Sequence, residues 1–252
     1  QPIASRKELV GPLCLGILIF PGDMMNKKLI AATALLASFS IAALAGEADV
    51  KKAVEATVGK VEKIAKAPIA GLWEVAVDGQ IFYADDKGTY LLAGNLIEIK
   101  TGKNLTTERQ FNALPLDLAV KQVRGNGKTV LVTFEDPNCG YCKKLAKELQ
   151  SVKNLTTYTF LYPVLGEDSV EKSKMIWCAP DKAKAWSDWM INAKTLPATP
   201  AKCDTAGLEK SIALGQKLRI NGTPAMFFAT GERVGGYIPA AEIEKRFNAK
   251  DG

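Results

Sequence analysis

A β-branched run, Thr129-Val-Leu-Val-Thr-Phe134, is followed closely by Cys139-Gly140-Tyr141-Cys142, which opens a helical pattern. No other feature restricts the chain as much as this order of strand, C-x-x-C and helix. Two cysteines at this spacing can close a small disulfide ring. At a helix start the first sulfur meets unpaired backbone N–H groups and the positive end of the macrodipole, and both favour a thiolate. An unperturbed thiol, with a pKa near ~8.5, is only a few per cent ionised at pH 7, and a drop of about two or three units makes it mostly thiolate. Cys139 is therefore expected to be an exposed nucleophile. Cys142, one turn inside, is expected to be the thiol that resolves a mixed disulfide.

The 252 residues contain no histidine. That excludes Ser-His-Asp and Cys-His catalysis, His-ligated zinc and histidine proton shuttles. Two other readings of the C-x-x-C are half a zinc site and an inert structural disulfide. Zinc needs two further ligands, and no second C-x-x-C supplies them, so the expectation is redox chemistry with no metal and no cofactor. The formal charge is only +6, and the lysines are scattered among acids instead of forming a stripe with aromatics. Nucleic acid is not expected as a partner.

From Met24 or Met25 the chain reads M-M-N-K-K, runs from Leu29 to Leu44 without a charge, and reaches Ala43-Leu44-Ala45. A basic start, an apolar stretch and an A-x-A end describe a secretory signal peptide over residues 24–45. A membrane anchor is the alternative, although the stretch is rich in Ala and Ser and no basic stop-transfer cluster follows at once. Residues 1–23, with Cys14, are expected to be a non-native upstream extension. Four cysteines remain, an even number suited to an oxidising compartment.

After that segment two periodicities alternate. Residues 47–66 place Val50, Val54, Val58, Val61 and Ile64 at helical spacing. Short β-patterned runs follow at 72–77, 80–84, 89–93 and 96–100, separated by turn signals such as Asp78-Gly79 and Gly94-Asn95. A domain of about 60 residues built this way buries too little surface alone, and a partner subunit is the remedy. Residues 106–123 return to a helical pattern that Pro115 should break or kink. The predicted order then runs strand 129–134, likewise expected to be central, helix 139–153, strand 156–162, helical region 169–217, hairpin 225–229 with 233–236 around Thr230-Gly231, and helix 239–248.

Thr223-Pro224 precedes the first hairpin strand. Proline cannot donate in a central strand, so it belongs at the strand's first position. A cis Thr–Pro bond there would expose flanking backbone to an extended substrate peptide. Gly140, Tyr141, Thr223 and Pro224 are the expected substrate-binding residues.

The stretches Phe134-Glu-Asp-Pro-Asn-Cys139-Gly-Tyr-Cys142-Lys, Ile176-Trp-Cys178-Ala and Asn221-Gly-Thr223-Pro224-Ala, with Gly235-Gly236-Tyr237, resemble periplasmic disulfide isomerases of the DsbC/DsbG family. Ala67-Pro-Ile-Ala-Gly-Leu and Ile81-Phe-Tyr-Ala-Asp-Asp are similar to that family's dimerisation domain. The resemblance implies an α+β and α/β chain. Its parts would be a cystatin-like dimerisation domain (46–105), a linker helix (106–127) and a thioredoxin-like catalytic domain (128–252) with a helical insertion at about 165–217. It also implies a periplasmic homodimer acting on misfolded, disulfide-containing exported proteins and kept reduced by a membrane reductase of the DsbD type. Thr133 stands where thioredoxin carries a buried acid, so the proton of Cys142 must pass to water or another group. Glu135 and Asp136 are candidates by proximity, against loop or cap roles. Cys178 and Cys203, in the expected insertion, read as a structural disulfide or as a second redox pair. Closing a loop of that size stabilises by roughly 3 kcal/mol in the chain-entropy model, which favours the structural reading. Trp177, Trp186, Trp189 and Met190 read as core. A dimeric holdase chaperone with secondary redox activity and a dithiol oxidase are the competing functions.

Overall fold

The computed structural model describes the backbone of residues 42–248, with side chains from residue 46. The expected upstream extension and the expected signal segment up to residue 41 lie outside the described residues. Helix α1 (Ala42–Thr57) ends just before Gly59, and the chain turns into strand β1 (Val61–Lys66). The helix expected over 47–66 is thus a helix followed by a strand. The reason is geometric: Val50, Val54 and Val61 all bury in one cluster with Trp73, Val75 and Val77. Val61 lies on the same apparent helical stripe, but it reaches the core by pairing with Val77 across a strand ladder.

Strands β2 (Leu72–Val77), β3 (Gln80–Asp85) and β4 (Leu91–Ala93) complete an antiparallel meander in the order β1-β2-β3-β4. Asp78 and Gly79 join β2 to β3 with φ of 49° and 71°, the left-handed pair that lets a two-residue hairpin follow the strand twist. The run expected at 96–100 does not extend this sheet. Its residues Ile97–Glu98 (β5) pair with Lys103–Asn104 (β6) as a separate ribbon.

Pro115 divides the connecting segment as its missing N–H dictates. Helix α2 (Leu105–Asn112) precedes it, a 3-10 turn at Leu116–Leu118 follows, and Val120–Val123 forms a strand, β7. The Asn104 side chain caps α2 by accepting the Thr107 N–H at 3.1 Å. An uninterrupted linker helix is therefore absent from 105–123. β7 pairs antiparallel with β9 (Leu155–Leu161) and becomes an edge of the second sheet. A strand whose partner lies so far along the chain leaves little local signal, which is why the connector reading missed it.

The second sheet has the order β11-β10-β8-β9-β7. β8 (Thr129–Glu135) sits at its centre, parallel to β9 and antiparallel to β10 (Ala225–Phe228), which pairs in turn with β11 (Arg233–Gly235). On one face Val132 and Phe134 pack with Phe160, Tyr162 and Phe227; the Phe134 and Phe160 rings stack at 4.7 Å. On the other face Leu131 packs with Leu145 of α3 (Gly140–Glu148) and with Leu149, which caps that helix. The expected helical region resolves into α4 (Glu167–Trp177), α5 (Lys182–Met190) and α6 (Ala206–Lys217), and α7 (Ala240–Asn248) closes the described chain. Gly231 sits at the β10–β11 turn with φ of 84°, and a Cβ there would lie 2.4 Å from the Glu108 N atom. Only glycine lets this hairpin tip meet α2. The end of α6 also touches the first sheet, where Lys217 pairs with Asp78 at 3.2 Å and Gln80 donates to the Lys217 carbonyl. No helix among the described residues is long and apolar enough to cross a membrane.

Candidate dithiol site

Cys139 is the residue before the first turn of α3, in extended conformation, and its sulfur accepts the Cys142 N–H at 3.4 Å. The sulfur itself occupies the helix-capping position. As a thiol it donates to the Thr223 carbonyl at 3.3 Å, across the sheet on the segment that leads into β10. The Thr223–Pro224 bond is cis. Cys139 is only 8% exposed and Cys142 is wholly buried. The expectation of an exposed nucleophile thus needs correcting: the Cys139 side chain belongs to a cluster with Leu161, Ile176, Trp186 and Met190, and only its edge reaches solvent.

The two sulfurs have opposite electrostatics. Cys139 falls from 9.0 to about 5, chiefly because the Cys142 thiol donates to its thiolate, helped by the Thr223 side chain and the N–H groups of Cys142 and Tyr141 and opposed by burial. Burial drives the Cys142 thiol up, and its role as donor to Cys139 drives it further, so it stays protonated. One thiolate and one thiol, fixed side by side, can attack a disulfide and then resolve the adduct. Alkylation of Cys139 by iodoacetamide should therefore be independent of pH above about 6 and fall tenfold per unit well below about 5. Stopped-flow labelling followed by peptide mapping checks this. A midpoint near that of a free thiol would show that Cys142, Thr223 and the helix start do not ionise Cys139.

The loop before the helix is braced from several sides. Asp136 is buried; its Oδ1 accepts the Asn138 N–H and the Ser169 hydroxyl, and its Oδ2 accepts the N–H groups of Val164 and Leu165. Four donors leave Asp136 a structural clasp between two loops. Trp189 donates its indole N–H to the Pro137 carbonyl at 2.6 Å. The composition of α5 suggested only core packing for Trp189, and its bond to the active loop carried no signal in the sequence. Tyr141 is 64% exposed beside Cys139, its ring stacked on Tyr237, and Tyr237 is tied to Glu148. Val164 and Leu165 are also exposed, adding apolar surface to the Asp136-bound loop.

Gly140 opens α3 and has open space where a Cβ would point. Gly222 and Thr223 line an open groove with Gly235 and Gly236, while the next residue, Pro224, accepts the Gly236 N–H at its carbonyl. The Cys178 and Cys203 sulfurs are bonded, with Cα atoms 5.8 Å apart, joining the end of α4 to the loop before α6.

Comparison with known proteins agrees along most of the chain. The thioredoxin-like domain family matches residues 116–250, and the disulfide bond isomerase protein N-terminal domain matches residues 41–107. The thiol:disulfide interchange protein DsbC of Escherichia coli (strain K12) is 32% identical over 220 residues, covering 84% of this chain and 91% of that protein. The chain belongs to the DsbC family. A probable thiol:disulfide interchange protein DsbC of Bordetella parapertussis is 49% identical over 183 residues, 70% of this chain. The match spans 64% of the length of that Bordetella relative. The crystal structure of a disulfide interchange protein from Neisseria gonorrhoeae aligns with a TM-score of 0.50 at 38% identity, over 54% of this chain and 96% of that one. The family's two-domain architecture, with a thioredoxin-like fold behind an N-terminal domain, is that of the structure described above.

Proposed function

We propose that this chain is a thiol–disulfide oxidoreductase that reduces and reshuffles incorrect disulfides in exported proteins, with Cys139 as nucleophile and Cys142 as resolving thiol. The observation that carries the reading is the pairing at the start of α3 of a stabilised thiolate at Cys139 with a buried neutral thiol at Cys142. Gly140, Tyr141, Thr223 and Pro224 border the sulfur and would receive the substrate backbone beside its disulfide. Cys178–Cys203 is read as a structural bridge, since neither cysteine lines the groove or belongs to a C-x-x-C. Boundaries near residues 105 and 128 separate a dimerisation domain, a linker and a catalytic domain, with β7 of the linker region built into the catalytic sheet.

The N-terminal meander favours a homodimer. β4 is an edge strand of the first sheet, and Tyr90, Leu91, Leu92, Ile97 and Ile99 are exposed on and beyond it. Edge strands carrying apolar residues invite pairing with a second copy. The expected signal segment and the family resemblance favour the periplasm, and a DsbD-type reductase would keep the dithiol reduced. Refolding of scrambled ribonuclease by wild type and Cys139→Ala tests the function. Isomerisation needs the thiolate, whereas simple holding of unfolded chains does not. Equal recovery with the two proteins would replace the enzyme reading by a chaperone one.

A further inference from the structure

Strand β8 carries a second chemical group toward the dithiol. Leu131, Thr133 and Glu135 alternate onto one face of the strand, and Leu131 packs there with Leu145 of α3 and its C-cap Leu149. From Leu131 to Glu135 the strand advances about 13 Å, and from Leu149 back to Cys142 the helix retreats about 10 Å. The end of the strand face that bears Glu135 therefore meets the turn of the helix that bears Cys142. The backbone N–H of Asp136, the next residue, faces the Cys142 sulfur.

Glu135 is 1% exposed. Its Oε1 accepts the Thr133 hydroxyl at 2.7 Å, and the Thr133 and Thr159 hydroxyls are linked at 3.0 Å. Its Oε2 is fully buried with no hydrogen-bond partner among the described residues. A buried carboxylate oxygen without a donor is costly, and burial raises Glu135 to about 8, the Cys139 charge adding to the rise. Asp136, the other nearby acid, has both oxygens occupied. We propose that Glu135 accepts the Cys142 proton in the step that resolves a mixed disulfide, a role that rests on the dithiol reading above.

In that step the Cys142 thiol gives its proton to Glu135 Oε2. The Cys142 sulfur pair attacks Cys139 Sγ, the bond from Cys139 to the substrate sulfur breaks, and the substrate leaves as a thiolate. The enzyme dithiol is oxidised to a disulfide, the substrate disulfide is reduced, and the proton on Glu135 passes to water. The timing is electrostatic. While Cys139 is a thiolate, burial and then that charge keep Glu135 protonated. Once Cys139 is in a neutral mixed disulfide that repulsion is gone, Glu135 releases its proton more readily, and its carboxylate is open to the proton that Cys142 must lose. Thr133 does not itself supply the acid, but it holds the acid in place.

Stopped-flow reaction of the reduced full chain with a fluorescence-quenched disulfide peptide separates adduct formation from resolution. Glu135→Gln keeps the volume and the bond from Thr133. It should leave adduct formation nearly unchanged and slow resolution by roughly a hundredfold at pH 7, the size of a general-base contribution. Resolution by wild type should level off at high pH, whereas in the variant it should keep rising with pH. Resolution at the wild-type rate and pH profile overturns the proposal, and so does equal slowing of both steps, which marks a packing role. If wild type forms no adduct, the dithiol reading falls and the proposal with it. Should the variant fail to fold, the Glu135 carboxyl carbon can be titrated by NMR in ¹³C-glutamate-labelled wild type. Its midpoint should drop when Cys139 is carbamidomethylated, and an unmoved midpoint overturns the proposal.

Discussion

Replacing Cys142 with serine is expected to trap disulfide-bonded adducts between this protein and its substrates, while Cys139→Ser leaves exchange at the rate of the buffer. Cys139 is the sulfur with surface, and its ionisation is favoured by the Cys142 thiol and then by the Thr223 side chain and the N–H groups at the start of α3. A serine there would stay protonated and could not attack. Cys142 has no exposed surface and stays a thiol, so it cannot be reached by a protein disulfide before Cys139 has reacted. Its task is to expel the adduct, and a serine hydroxyl cannot do so. Non-reducing gels of the two variants, each reduced and then mixed with scrambled ribonuclease, give the answer. Adducts through Cys142 in the Cys139→Ser protein would reverse the two roles.

Placing charges on the apolar edge of the first sheet should separate the thiol chemistry from isomerisation. Leu92 is 58% exposed on β4, and Ile99 is 95% exposed just beyond β5. Neither supports the core of its own subunit, so Leu92→Glu with Ile99→Glu should fold. At an interface between two copies, four buried carboxylates without partners would cost far more than a standard interface provides. The doubly substituted protein is expected to be monomeric by light scattering and to reduce insulin at the wild-type rate per Cys139. It should lose most isomerisation of scrambled ribonuclease, because a single site releases its substrate between exchanges. A variant that stays dimeric would place the subunit contact elsewhere. A monomer that isomerises normally would show that two facing sites are unnecessary.

The pH dependence of Cys139 labelling, the ribonuclease comparison and the Glu135→Gln kinetics all address the same few residues, and each reads a different step. Labelling reads the thiolate alone. Ribonuclease refolding reads the full cycle. Resolution kinetics read the proton that Cys142 must lose.

Much of the catalytic half could be read from local pattern. The strand at Thr129–Glu135, the helix opening at Gly140 and the hairpin around Thr230-Gly231 appear where periodicity and turn chemistry put them. Each is decided by neighbours in the chain: β-branched residues in an extended run, a capping sulfur, a glycine with positive φ. The elements that were missed are those whose reason lies far away. Val61–Lys66 is a strand because Val77 and its neighbours offer a ladder, and Val120–Val123 is one because β9 offers an edge. Neither segment differs from an amphipathic helix in its own pattern of apolar residues.

The same division holds at the site. The sequence alone determined that the chemistry is thiol chemistry, because C-x-x-C follows a strand, opens a helix, and has no histidine to assist it. It also offered two adjacent acids, besides water, as acceptors of the Cys142 proton. Only the tertiary structure sets these two acids apart. Val164, Leu165 and Ser169 arrive from a distant loop to saturate Asp136, while Thr133 holds Glu135 and leaves one of its oxygens bare. Glu135 ends β8 and Asp136 is the first residue beyond it, so two carboxylates alike in sequence meet different surroundings, and hydrogen-bond donors brought from elsewhere in the chain make one a clasp and leave the other with an oxygen free.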